Sequence, residues 1–143
     1  MTPDHVLVPL DGSPLADEAL SHTLAVFDCR VTVLNVVTPL DAGMTEGGIL
    51  EPDETRERAA EKHAERLVEN AKTRAAAADR TVETATESGD PAETILSFVA
   101  DHDVDHVVMG GHGGEKRGIA ERLLGTVATT VVSGADVTVT VVR

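Results

Sequence analysis

The stretch His106 to Ala128, HVVMGGHGGEKRGIAERLLGTVA, decides the fold because it joins an apolar run to a glycine-rich loop and then to a second helix start. The run that ends at Met109 has the length and β-branched content of a buried strand. Four glycines then surround His112: Gly110, Gly111, Gly113 and Gly114. We expect them to adopt positive φ and to bring bare N–H groups up to a ligand, as nests for phosphate oxygens do.

A second phosphate-binding element follows the loop. Gly125-Thr126 opens a helix from about Val127, and a helix N-terminus offers unpaired N–H groups and a partial positive charge. The alternative is that the glycines only form a flexible connection between strand and helix. The loop has neither the Gly-Lys-Ser/Thr of a Walker A motif nor the third glycine of a dinucleotide fingerprint, so it does not specify the nucleotide by itself.

Length and composition predict one α/β domain over residues 1–143. The hydrophobic share is 41%, but only two residues are aromatic, both phenylalanine. The core must therefore consist of Val, Leu, Ile and Ala, which suits strands covered by helices. The single cysteine, Cys29, cannot form an internal disulfide, and a small core residue is its expected role.

The net charge indicates which binding partners and which cellular compartment to expect. The formal net charge is −13, from 25 acidic and 12 basic residues. Repulsion between like charges destabilises the folded state unless salt screens it, so this charge indicates a salt-rich, halophilic cytoplasm. The alternative is an ordinary acidic surface that maintains solubility. No basic patch or aromatic platform suits nucleic acid, and no apolar run or signal-peptide pattern indicates a membrane. We expect a soluble, cytoplasmic protein.

Strands and helices alternate along the whole chain. Strands are predicted at 5–10, 31–37, 81–86, 104–109 and 137–142. Helices are predicted at 14–28, 53–78 and 127–133, with a further helix from Pro91 to near His102. Ser13 and Asp90 suit the N-caps of two of them. This order predicts a parallel sheet with helices on both faces, and the alternating 81–86 strand suits a sheet edge.

Ligands of such sheets bind at the carboxyl ends of the strands, where the strand order reverses. Three segments reach that edge: Pro9–Asp11, Val36–Val37 and the glycine loop. Asp11 could accept hydrogen bonds from a base or ribose, or serve as a turn residue before Gly-Ser-Pro, and these roles are compatible. Val36 and Met109 would supply apolar walls. His112 is the only histidine expected there, since His63 lies in a charged helix and should be solvated.

These features together resemble the universal stress protein family. The resemblance runs through the chain, in VLVPLDGSPLADEAL, VLNVV, GDPAETIL and VVMGGHG with GTV. It implies a Rossmann-like five-stranded parallel sheet in the order 3-2-1-4-5 and, in the ATP-binding branch, a motif Gly-x2-Gly-x9-Gly-Ser/Thr. By that resemblance Pro9, Asp11 and Val36 would face adenine and ribose. Met109 and Gly110 would line the region between base and ribose, beside His112, and the phosphates would contact the following residues: Gly113, Gly125, Thr126 and Val127.

The chain departs from this motif in one place. Eleven residues, Gly114 to Leu124, separate Gly113 from Gly125, so Gly114-Glu115 resembles a two-residue insertion at the phosphate position. The insertion could fold into the site or bulge outward. We favour the outward bulge because Gly114 supplies the freedom and Lys116-Arg117 remain available to phosphate.

The predicted function is an ATP-binding stress-response or regulatory protein, with Mg²⁺ completing the charge balance. No catalytic triad, carboxylate pair or metal cluster has a chemically required spacing, so at most slow ATP hydrolysis is expected. The alternative is a nucleotide-free module that binds an unknown protein partner. The β-branched strand Val137–Val142, at a sheet edge in the family's order, predicts a two-fold homodimer.

Overall fold

The computed structural model describes residues 2–38, 54–112 and 124–143. Within these ranges five strands alternate with four helices. In chain order they are β1 His5–Pro9, α1 Pro14–Val26, β2 Arg30–Val37, α2 Glu54–Ala77, β3 Glu83–Ser88, α3 Pro91–Asp101, β4 His106–Gly110, α4 Thr126–Gly134 and β5 Thr138–Val142. The order confirms the predicted α/β class.

The five strands form one parallel sheet in the order β3-β2-β1-β4-β5. β1 lies at the centre, with Val8 opposite Val33 of β2 and Leu7 opposite Val107 of β4. The strand order reverses between β1 and β4, because β2 and β3 are laid down on one side of β1 before the chain crosses to the other. The predicted order is confirmed, and β3 is an edge strand as its half-exposed pattern indicated.

Helices cover both faces of the sheet, and alternate residues of β1 pack on opposite layers. Val6 and Val8 belong to the core cluster that includes Leu20 of α1 and Ala71 of α2. Leu7 belongs to the cluster on the other face, with residues of α3 and α4: Ala92, Ile95, Phe98, Val99, Ala128 and Val131. A strand covered on both faces must be apolar at successive positions, which explains the run in β1.

Two helix starts follow the sequence signals. The Ser13 hydroxyl accepts a hydrogen bond from Ala16 N at 3.3 Å, and a carboxylate oxygen of Asp90 accepts one from Glu93 N at 3.0 Å. Pro14 and Pro91 occupy the first helical positions, where their missing N–H has no intrahelical role. Both predicted caps are confirmed.

The third strand begins two residues later than expected. Arg80 ties the end of α2 to the segment that follows α1: its guanidinium donates to the carbonyl oxygens of Leu24, Phe27 and Cys29 at 2.7 to 3.1 Å. The chain reaches the sheet only after these contacts, and β3 begins at Glu83, beside its ion-pair partner Arg30. The other boundaries differ from the predictions by one or two residues, and α4 begins at Thr126 rather than Val127.

None of the helices in the described part of the chain is long and apolar enough to cross a membrane.

Candidate functional site

A cavity of about 650 Å³ opens at the carboxyl ends of the strands, at the reversal of the strand order. Loops after β1, β2 and β4 contribute to it, together with the first turns of α3 and α4. It is lined by the following predicted site residues: Pro9, Asp11, Val36, Met109, Gly110, His112, Gly125, Thr126 and Val127. Gly113, the Gly114-Glu115 insertion and Lys116-Arg117 lie outside the described residues. The volume falls in the range of small-molecule sites.

The floor of the cavity is held by hydrogen bonds between the ends of β1 and β2. Leu10 N donates to Leu34 O at 2.8 Å, and the buried Asn35 amide donates from Nδ2 to Leu10 O at 3.0 Å. Asn35 also lines the cavity, although sequence reasoning did not select it. An amide inside the otherwise apolar run VLNVV is the signal that could have found it.

Asp11 combines the two roles that the sequence left open. Its Oδ1 accepts a hydrogen bond from Ser13 N at 2.9 Å, which is the turn geometry that introduces α1. The side chain is exposed and lines the cavity. Among the described cavity residues it is the only carboxylate, so it supplies the negative charge of this part of the wall.

Gly110 and Gly111, at the end of β4, do not have the conformation that we expected. In the described part of the chain only Gly12 and Gly89 have positive φ among the glycines, so the prediction of positive φ at Gly110 and Gly111 is wrong. Gly110 is required for packing instead, because a Cβ there would lie 2.9 Å from Leu15 Cβ and 3.1 Å from Ala16 N. The end of β4 can therefore approach the start of α1 closely.

Two of the expected bare N–H groups are used within the chain. Gly111 N donates to Val142 O at 2.8 Å, and Gly125 N donates to Gly111 O at 2.6 Å. The prediction that Gly111 presents its N–H to a ligand is therefore wrong. These bonds hold the β4 end between β5 and the start of α4, which positions the α4 terminus at the cavity.

The N-terminus of α4 has no side-chain cap. Its N-cap is Gly125, which has no side chain to accept from the first turn. The first N–H groups of a helix have no intrahelical partner, and here Thr126, Val127 and Ala128 line the cavity. His112 adjoins this terminus, and its Nδ1 is buried without a hydrogen-bond partner among the described residues. The arrangement suits an anionic group.

Helix α2 contributes a wall that sequence reasoning missed. Ala59, Ala60 and His63 line the cavity, so the prediction that His112 is the only histidine there is wrong. His63 is exposed, as expected for a charged helix, but it lies beside the turn after β1 rather than only in solvent. Its position one helical turn before the buried Leu67 was the available signal.

At the opposite end of the sheet, His5 and His106 have polar partners. His5 Nδ1 lies 3.1 Å from His102 O, and its Nε2 lies 2.7 Å from Thr32 Oγ1. Burial lowers the pKa of His5 below its ordinary 6.5, with a smaller contribution from Arg30. His106 Nε2 lies 2.8 Å from Thr140 Oγ1, and burial lowers its pKa as well. Histidines therefore occur at both ends of the sheet in different surroundings.

No group of three or more histidine, cysteine or acidic side chains in residues 2–38, 54–112 and 124–143 could hold a metal ion. Among the described cavity residues, Asp11 is the only carboxylate that could contact a cation.

A doubly wound parallel sheet with its cavity at the reversal of strand order defines a class of α/β proteins that bind ligands at the strand ends. Within this class the chain belongs to the Universal stress protein family, whose model matches residues 3–143. The resemblance seen in the sequence is thereby confirmed. No curated protein matches the chain significantly.

Solved structures share the fold over nearly the whole chain. Hypothetical protein MJ0577 is 27% identical, with 99% of this chain and 96% of that chain covered and a TM-score of 0.79. Universal stress protein UspA from Lactobacillus plantarum is 22% identical, with 100% and 99% covered and a TM-score of 0.81. A family protein from Arabidopsis thaliana, solved with AMP bound, is 19% identical, with 98% and 91% covered and a TM-score of 0.69.

Proposed function

We propose that this protein binds ATP with Mg²⁺ in the cavity at the carboxyl ends of the strands, and that it acts as a regulatory protein of the stress response. The observation that carries the proposal is the meeting, in one cavity, of an apolar wall and a helix N-terminus without a side-chain cap. Family membership and the AMP in the Arabidopsis relative support a nucleotide as the ligand.

The cavity has two chemically different regions, one suited to the base and ribose and the other to the phosphates. Pro9, Asp11 and Val36 would hold adenine and ribose, with an apolar surface and one carboxylate acceptor. Met109 and Gly110 would line the region between base and ribose. The N–H groups of Thr126 and Val127 would donate to phosphate oxygens, and His112 Nδ1 is a further polar group at that end.

Mg²⁺ fits this site as a companion of the phosphates rather than as a resident metal. Asp11 is the only carboxylate among the described lining residues, and Mg²⁺ commonly binds through one or two carboxylates together with substrate phosphates and water. The ion would neutralise phosphate charge beside an acidic protein. At most slow hydrolysis is proposed, because the described lining residues include no second carboxylate to work with Asp11 as acid and base.

The test places a negative charge at the start of α4. Thr126→Asp should preserve the helix, since an acidic residue at the first position complements the dipole, but should repel phosphate. We expect Mg-ATP affinity to fall on the order of 100-fold, in proportion to a charge repulsion of a few kcal/mol at short range. Equilibrium dialysis in molar potassium chloride measures it.

Thr129→Asp is the matched control. It adds the same charge to the same helix, and Thr129 is exposed and does not line the cavity. Its Mg-ATP affinity should remain within about threefold of wild type, because exposed charges at this distance are screened in molar salt. Equal losses in the two variants would contradict a phosphate site at the α4 terminus.

A nucleotide-free protein-interaction module is the second candidate. It is favoured by the internal use of the Gly111 and Gly125 N–H groups, which leaves fewer donors for phosphate than the sequence predicted. Absence of Mg-ATP binding in the dialysis experiment would select it.

We also propose a homodimer through β5. Within the described part of the chain Thr138–Val142 is paired only with β4, and we propose that its other edge accepts an antiparallel copy. Truncation of this strand would also remove Val142 O, the acceptor for Gly111 N, so the wild-type protein gives the cleaner test. Light scattering should give twice the chain mass at micromolar concentration in molar salt, and a monomer mass would contradict the dimer.

The proposed compartment is a salt-rich cytoplasm, on the basis of the net charge of −13. Salt screens charge repulsion with a Debye length of about 10 Å at 0.1 M and about 3 Å at 1 M. The unfolding temperature should therefore keep rising between tenths-molar and molar potassium chloride. A flat dependence would contradict the halophilic proposal.

A further inference from the structure

The histidine on α2 lies beside the turn that follows β1. A Cβ atom at Gly12 would lie 3.7 Å from both Cε1 and Nε2 of His63, so the imidazole ring packs next to this turn. Gly12 directly follows Asp11, and both Asp11 and His63 line the cavity. Ala59 and Ala60 line the same wall one turn earlier on α2. Among the described α2 residues that line the cavity, His63 carries the only ring and the other two are alanines.

The two cavity histidines lie near different parts of the site. His112 adjoins Gly125 at the start of α4, where a Cβ at Gly125 would lie 3.2 Å from His112 Cα. His63 belongs to α2, which packs on β2, on the other side of β1 in the sheet. The phosphate donors lie with His112, and the apolar surface of Val36 lies at the end of β2. His63 packs beside Gly12, which directly follows Asp11, so it lies with the part of the proposed site assigned to base and ribose.

Apart from the rings of His63 and His112, no aromatic side chain lines the described part of the cavity, and His112 lies at the phosphate end. The chain has no Trp or Tyr and only two Phe, and Phe27 and Phe98 pack in the two core clusters instead. Aromatic side chains contribute to nucleotide binding by stacking on the face of a base, which every base offers and which is larger in purines. A histidine ring can fill this role.

We propose that His63 is a base-contacting residue, whose imidazole packs on the purine face of the bound nucleotide and favours purine over pyrimidine nucleotides. This inference rests on the proposed nucleotide-binding function. If His63 were only a solvated surface residue, its replacement would change the affinities for purine and pyrimidine nucleotides equally. A change in their ratio therefore distinguishes base contact from a surface role.

The experiment compares ATP with UTP in the wild type and in His63→Ala and His63→Phe. Calorimetric titration with the magnesium salts in molar potassium chloride gives both affinities. His63→Ala should weaken ATP binding about tenfold and UTP binding about two- to threefold, because the smaller ring loses less contact area. His63→Phe retains a flat ring and should keep ATP affinity within about twofold of wild type.

His22→Ala is the matched control, since His22 is an exposed helical histidine of α1 that does not line the cavity. Both nucleotide affinities should be unchanged in it, and thermal unfolding should show that all variants are folded.

Unchanged ATP affinity in His63→Ala, or equal losses for ATP and UTP, would overturn the role of His63 while leaving the proposed function in place. A wild-type protein that binds neither nucleotide would overturn both. Failure of the phenylalanine variant to restore selectivity would contradict stacking as the cause.

Discussion

A histidine lies at each end of the sheet, and the two differ in their hydrogen bonding. At the amino end, His5 contacts His102 O and Thr32 Oγ1, and the Asp105 carboxylate accepts from Asp4 N and His5 N. At the carboxyl end, His112 Nδ1 is buried without a partner among the described residues, and α4 begins without a side-chain cap. Satisfied groups stabilise a fold, whereas buried donors and acceptors without partners indicate a site for something else.

This difference separates stability from binding. Substitutions at the amino end should change the free energy of unfolding and leave nucleotide affinity intact. Substitution of His112 at the carboxyl end should do the reverse, because its Nδ1 has no hydrogen-bond partner among the described residues to lose.

The largest stability effect is expected at Thr32. Thr32→Val conserves shape but removes the hydroxyl that meets His5 Nε2, and both side chains are at least 96% buried. Leaving a buried group unpaired should cost about 2 kcal/mol, measured by urea denaturation at pH 7.5. Thr140→Val, the equivalent change beside the half-buried His106, should cost less. Equal costs would break the link between burial and stability.

The free energy of unfolding should also depend on pH, with a smaller effect than that of Thr32→Val. Burial lowers the pKa of His5 and of His106 in the folded state, so the unfolded chain binds protons first, near pH 6.5. Stability should be fully present above this value and should fall as the pH decreases from 6.5 toward the folded pKa. Urea midpoints at pH 7.5, 6.5 and 5.5 in molar potassium chloride measure it, since salt screens general repulsion and carboxylates titrate near pH 4.

His106→Gln should show a shallower pH dependence than the wild type. If stability stays constant or rises as the pH is lowered from 7.5 to 5.5, the pKa values of these histidines are not lowered by folding.

The smallest stability effect is expected at His112. His112→Phe replaces an unpartnered Nδ1 with carbon in a ring of similar shape, so the urea midpoint should not fall. Mg-ATP affinity should weaken about tenfold, as expected for the loss of one hydrogen bond to a charged group. A large loss of stability with unchanged affinity would assign His112 to the fold rather than to the site.

Much of the fold was predictable from local chemistry. The pairs Ser13-Pro14 and Asp90-Pro91 are local signals for a helix start, since each cap bonds to a residue three positions further along the chain. Both caps form as predicted. The alternation of apolar strands with helices predicted the parallel sheet, and the resemblance to the family supplied its order.

The site was less predictable because it depends on contacts between distant segments. The sequence could not show that Gly111 N would donate to Val142 O, since that bond requires β4 and β5 to lie side by side. The charged composition of α2 predicted a solvated His63, but it could not show that His63 packs beside the turn at Gly12. Such juxtapositions arise from tertiary packing, which local patterns do not encode.

Titration calorimetry of the wild-type protein with Mg-ATP in molar potassium chloride tests the central claim most directly. The carboxyl end combines an uncapped helix start, an apolar cavity and a His112 Nδ1 without a partner among the described residues. These features predict a dissociation constant in the micromolar range. Measurement at two temperatures excludes an accidental zero enthalpy. No detectable heat at millimolar ATP at either temperature would contradict the account and favour the nucleotide-free interaction module.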